Sequence, residues 1–161
     1  MTRLNELPEN AKIESETGCN YVKKVNSQRV YKKKGEDEIK LVIPGELPTM
    51  NEIINKAKTH WSEYKKMKDN CNEIITYMCQ QQEIPFFHAV RLKITYYRKN
   101  MMYDPDNLSA GKKFILDGLQ EAGCIKNDGW KEIKGFQESW EVDKENPRTE
   151  VIIKEVEHEQ T

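Results

Sequence analysis

Alternating and three- to four-residue apolar spacings divide the chain into predicted elements. Ile39-Lys40-Leu41-Val42-Ile43 alternates as a strand does, and Pro44-Gly45-Glu46-Leu47-Pro48 breaks it. Thr49 or Asn51 is placed to cap a helix. From 51 to 82, Ile53, Ile54, Ala57, Trp61, Tyr64, Met67, Cys71, Ile74, Ile75 and Met78 recur at helical steps, with a break near Thr59. Beyond Pro85, Val90, Leu92, Ile94 and Tyr96 alternate with Arg91, Lys93, Thr95 and Tyr97, predicting a half-buried strand. A helix is expected over 106–122, closed by Gly123. Strands are expected over 130–142, interrupted at Gly135, and over 149–156. The turn Glu145-Asn146-Pro147-Arg148 would join those two as an antiparallel hairpin. The order strand, long helix, strand, helix, strand, strand predicts an α+β domain with helices on one face of a mixed sheet. Residues 1–37 are polar and weakly patterned, with at most a short hairpin around Asn26-Ser27. We read them as a flexible extension preceding a domain over 38–161.

Composition narrows the class. A chain of 161 residues, 37% hydrophobic and 33% charged, has the length of one polar domain. The longest apolar runs, such as Leu41-Val42-Ile43 and Val151-Ile152-Ile153, are far too short to span a bilayer. The first residues lack the apolar core of a secretory signal, so the expectation is a cytoplasmic protein with no membrane partner. Cys19, Cys71, Cys79 and Cys124 form no C-x-x-C pair, and His60, His88 and His158 complete no zinc pattern with them. Free, mostly buried thiols are expected. Trp61, Trp130 and Trp140 are read first as core residues.

The net charge of −1 hides local clusters. Lys23-Lys24, Lys32-Lys33-Lys34, Lys65-Lys66 with Lys68, Arg98-Lys99 and Lys112-Lys113 are basic, and a basic patch can hold phosphate whatever the total charge. Asn51, Lys58, Lys65, Lys66 and Lys68 are candidates for backbone phosphate contacts.

The densest chemistry comes just after the second strand. Asp104 and Asp106 flank Pro105, which favours extended backbone at Asp104 and would turn both carboxylates the same way. An ordinary turn whose acids cap a helix explains the pair as well as a divalent cation does. On a wheel of about 100° per residue, with Asp106 at zero, Lys113 and Asp117 fall within about 20° of it. Leu108, Ile115, Leu119 and Ala122 lie within about 40° of the opposite direction. Asp128 stands beyond the helix in a loop able to return beside the sheet. Asp104, Asp106 and Asp128 together suit a hard cation, and with a nearby lysine they suit phosphodiester hydrolysis. Asp117 alone reads as a surface acid or a helical partner of Lys113.

The run Asp104-Pro105-Asp106-Asn107-Leu108, then Lys113, Leu116-Asp117-Gly118-Leu119, Ala122-Gly123 and Asp128, resembles the RusA family of Holliday junction resolvases. The likeness takes in Gly45-Glu46-Leu47-Pro48 with Asn51-Glu52 upstream and the closing strands downstream, covering roughly 38–156. It implies a homodimeric, Mg²⁺-dependent endonuclease of phage or prophage type, with Mn²⁺ as an alternative metal and no organic cofactor. Such an enzyme nicks four-way or related branched DNA in pairs during recombination and repair. The resemblance makes Asp104, Asp106 and Asp128 the catalytic and metal-binding carboxylates and Lys113 the catalytic lysine. In the best-known form of the family the lysine stands four residues after the second aspartate, where this chain has Ala110. Lys113 matches when the helix is aligned backwards from Asp117. Lys112, about 100° away, is read as a phosphate contact. The competing expectation is a junction-binding accessory protein with weak catalysis or none.

Overall fold

The computed structural model describes residues 38–157. The extension over 1–37, its hairpin around Asn26-Ser27, Cys19 and His158 lie outside the described residues. Among the described residues four strands and four helices are arranged in the order β1 (Glu38–Pro44), α1 (Met50–Thr59), α2 (Trp61–Gln81), β2 (Val90–Arg98), α3 (Pro105–Ser109), α4 (Lys112–Glu121), β3 (Ile133–Val142) and β4 (Arg148–Glu155).

Local chemistry sets most of the boundaries. Thr49 caps α1 through a reciprocal box: its hydroxyl accepts from the Glu52 N–H at 3.3 Å, and the Glu52 carboxylate accepts from the Thr49 N–H at 2.8 Å. The expected break falls at His60, which is extended, ends α1 and caps α2 by accepting the Ser62 N–H on Nδ1 at 3.1 Å. Helix α4 ends in a Schellman turn: Cys124 N–H reaches Leu119 O at 2.9 Å, Gly123 N–H reaches Gln120 O at 3.0 Å, and Gly123 takes φ 75°.

The helix expected over 106–122 is two helices. Ala110 and Gly111 keep right-handed backbone but close tighter turns, with Gly111 N–H donating to Leu108 O and Phe114 N–H to Gly111 O, each at 3.1 Å. A Cβ on Gly111 would lie 2.9 Å from the Cβ of Leu47, so the glycine lets this joint sit against the β1–α1 connection.

The sheet order is β1-β4-β2-β3. β4 runs antiparallel to both β1 and β2, while β3 runs parallel to β2 after the helical crossover. The expected β3–β4 hairpin is therefore absent, because β2 lies between them. The connecting residues 143–147 cross the end of β2, where Asp143 N–H binds Arg98 O at 2.8 Å. A turn signal records that the chain reverses, not which strand it returns beside.

The pleat puts Leu41, Ile43, Leu92, Ile94, Tyr96, Val151 and Ile153 on one face, all buried. Cys71, Ile74, Ile75 and Cys79 of α2 and Phe114, Ile115 and Leu119 of α4 join them in one core. The α+β expectation, with a mixed sheet and helices on one face, matches this arrangement. α1 buries no residue completely: of its part of the apolar stripe expected over 51–82, Ile53 packs half-buried against the core, while Ile54 and Ala57 stay exposed. The tryptophans depart from expectation, with Trp61 69%, Trp130 95% and Trp140 39% exposed. Cys71, Cys79 and Cys124 are free and buried, as expected. Among the described residues no helix is long and apolar enough to cross a membrane.

Candidate functional site

The two stretches that carried the resemblance meet in space. Arg98, at the end of β2, is buried; it donates to Leu47 O at 3.1 Å and pairs with Glu46 at 3.3 Å. The Lys99 N–H donates to the Glu46 carboxylate at 2.9 Å. Asn107 of α3 accepts the Asn51 N–H at 3.0 Å. These bonds tie the β1–α1 connection to the segment that carries Asp104 and Asp106.

Asp104 is extended, with φ −69° and ψ 152°, as the proline after it requires. It occupies the N-cap position of α3, yet its side chain makes no capping bond; only its carbonyl accepts, from the Asn107 and Leu108 N–H groups. Asp106 is already inside α3, so the two-residue alternation of an extended chain does not relate it to Asp104. Both side chains are exposed, and neither forms an ion pair with a described residue.

The lysine pair splits. Lys112 turns toward β3, donating to Glu138 at 3.1 Å and lying 4.7 Å over the Phe136 ring. Glu138 also accepts from the Tyr96 hydroxyl at 2.9 Å. Lys113 stays 57% exposed and lies 3.4 Å from Asp117, which is 3.9 Å from Lys68 of α2. Asp117 is mostly buried, and its Oδ2 makes no hydrogen bond among the described residues, so charge attraction to the two ammonium groups is what stabilises it there.

The candidate lysines of the helices are largely paired. Lys65 lies 3.3 Å from Asp69, and Lys66 3.3 Å from Glu63, whose carboxyl is held below its usual range by the Lys66 hydrogen bond and charge. Lys58 is exposed without an ion pair among the described residues, and Asn51 is exposed at the start of α1.

Asp128 stands apart from the other two acids. Val90 pairs with Ile133 at one end of the β2–β3 ladder, and Arg98 with Val142 at the other. Asp104 lies beyond the Arg98 end, whereas Asp128 precedes the Ile133 end. Within one chain they lie toward opposite ends of a strand pair about 30 Å long. The loop that holds Asp128 does not return beside Asp104. Accordingly, among the described residues no three histidine, cysteine or acidic side chains gather into a metal-holding group.

Sequence reasoning missed a cleft of about 760 Å³ beside the acidic segment, lined in part by Glu52, Lys56, Lys66, Lys99, Met102 and Tyr103. Its walls come from α1, α2 and the β2–α3 connection, which no local periodicity brings together. Burial, with the Glu52 charge adding to it, pushes the Cys71 thiol up to about 12, so Cys71 stays protonated and is a poor nucleophile.

Neither a protein-family model nor a curated protein matches the sequence.

The donors still suit a hard cation. Mg²⁺ is typically held by one or two carboxylates together with water and substrate phosphate, and Asp104 and Asp106 are exposed carboxylates with no cation paired to them among the described residues.

Proposed function

We propose that this chain is a RusA-type endonuclease that resolves Holliday junctions and related branched DNA. The observation that carries the reading is the Asp104 carboxylate, which stands at a helix N-cap without capping it, exposed near Asp106. The backbone beneath is fixed by the Asn51–Asn107 and Arg98–Leu47 bonds. On this reading Asp104 and Asp106 would hold Mg²⁺ or Mn²⁺, while Asp128, toward the other end of the β2–β3 pair, is not placed to join that ion within one chain. Such an ion supplies Lewis acidity and neutralises charge on the scissile phosphate. Lys113, held by Asp117 and more than half exposed, stabilises the negative charge that develops on the phosphoryl oxygens.

Two symmetric nicks call for a two-fold dimer. Met50, Ile54 and Trp61 along α1 and the start of α2, and Phe136, Trp140 and Val142 on edge strand β3, are exposed apolar residues suited to that contact. Free buried thiols accord with a reducing cytoplasmic setting.

The test is nicking of a synthetic four-way junction in Mg²⁺, with a linear duplex as control. Wild type is expected to cut the junction in pairs. Asp106→Asn should lose cleavage by about three orders of magnitude while retaining junction binding. Wild-type rates from Asp106→Asn would refute the assignment. The separation of Asp128 from Asp104 favours a second reading, a junction-binding accessory protein without turnover. Tight junction binding with no cleavage in either Mg²⁺ or Mn²⁺ would establish it.

A further inference from the structure

The face of the sheet opposite the helices is covered by no element among the described residues, and its charge is uneven. The pleat brings Arg91 and Lys93 of β2 to this face, beside Lys154 of β4 and Gly135 and Gln137 of β3. They line a shallow depression of about 440 Å³ together with Ile152. Three cations thus face one acid, Glu38, which is 3.6 Å from Lys154. Arg91 and Lys93 are exposed and pair with no carboxylate among the described residues. Gly135 lets the guanidinium come close to β3, since a Cβ there would be 3.2 Å from Arg91 Nη1.

The contrast with the helical side decides what the patch fits. On the helical side Lys58 is unpaired among the described residues, but Lys56, Lys65, Lys66, Lys68, Lys112 and Lys113 each have a carboxylate within 4 Å, so much of their charge is answered inside the chain. Cations without such partners gain most from a polyanion, whose condensed counterions they displace. We infer that the open sheet face around Arg91 and Lys93 is a binding surface for the phosphate backbone of duplex DNA. It contacts an arm of the substrate at a distance from the acidic segment and does so without reading sequence. The inference rests on the nuclease reading only in taking DNA as the partner.

The test is fluorescence anisotropy of the full chain with a labelled linear duplex and a labelled four-way junction, across a salt series. Arg91→Thr/Lys93→Thr keeps strand propensity while removing both charges. It should bind several-fold more weakly, with a log–log salt slope shallower by about 1.8. Lys93→Arg should bind as wild type does, and Lys65→Ala/Lys66→Ala should change the slope less. A thermal melt confirms that the variants fold. If the double variant matches wild type in affinity and slope, the inference falls. Junction nicking by wild type judges the nuclease reading separately. A chain that nicks, but whose binding is indifferent to Arg91 and Lys93, loses only this surface. A chain that binds through this face and never nicks loses only the nuclease assignment.

Discussion

The two faces of the sheet are written with the same alternation and do opposite work. The helix-covered face is closed by aliphatic and aromatic side chains, with Gly118 of α4 set directly against Ile75 of α2. The open face carries Lys40, Arg91, Lys93, Arg148, Glu150 and Lys154, in part matched by ion pairs with side chains beside them. A buried face tolerates little change in volume, whereas an exposed charged face tolerates most changes at small cost. Stability should therefore reside on the closed side, and electrostatic recognition should be adjustable on the open side.

The largest expected effect tests the division of labour at the head of α4. Lys112 is engaged with Glu138 and Phe136, whereas Lys113 extends outward beside Asp117. Lys113→Ala should cut junction nicking by about a hundredfold, the scale for removing one group that stabilises transition-state charge. Lys112→Ala should act mainly on stability. Equal losses of nicking at unchanged stability would show that the two lysines share the role.

Next comes the closed face itself. A Cβ on Gly118 of α4 would lie 2.3 Å from Cγ2 of Ile75 on α2. Gly118→Ala gains helix propensity but forces the two helices apart, so the net cost should be about 2 kcal/mol in a urea melt. Combining it with Ile75→Ala should recover part of that cost, because the cavity accepts the new methyl; strict additivity would mean that the two sites do not communicate.

Much of this arrangement was legible in the sequence, because local rules produced it. Thr49 was one of two candidate caps and proved to be the cap. Pro105 forced extended backbone at Asp104, and Gly123 closed α4. The features that stayed hidden depended on pairing or on distant partners. No residue between Val142 and Arg148 states that β4 will insert between β1 and β2. Nothing near Asp128 states that its loop lies at the far end of the β2–β3 ladder from Asp104. The break at Ala110 and Gly111 depends on Leu47, more than sixty residues earlier. The tryptophans illustrate the same limit, since a large apolar residue signals burial only where some element arrives to cover it.

A smaller effect probes the entry to the helical layer. Thr49→Ala removes the hydroxyl half of the capping box and should destabilise the protein by about 1 kcal/mol, measured by denaturant midpoint at unchanged slope. Thr49→Ser keeps the acceptor and should restore most of it. Because α1 buries no residue completely, this loss should concentrate in local opening of α1, visible as faster amide exchange there than in α2.

The smallest effect belongs to the open face and depends on pH. Arg148 lies 3.8 Å over the Tyr97 ring, donates to Asp143 at 2.8 Å and is 3.7 Å from Glu150. The Arg148 hydrogen bond holds the Asp143 carboxyl below its usual range. Burial alone would raise the Glu150 carboxyl, but hydrogen bonds from Lys40 and Tyr97 and the nearby positive charges outweigh it, so it too is lowered. For a carboxyl depressed by folding, the stabilisation is fully present above its unfolded pKa of about 4. It disappears as pH falls through the lower folded value, when the native state must take up the proton. The melting temperature should therefore decline on acidification below about pH 4. Arg148→Met, which keeps an apolar stem on Tyr97, should melt slightly below wild type at neutral pH, and the gap should close in acid. Parallel melting curves from neutral pH into acid would show that the ion pairs of Arg148 with Asp143 and Glu150 contribute nothing to stability, whatever its packing on Tyr97 adds.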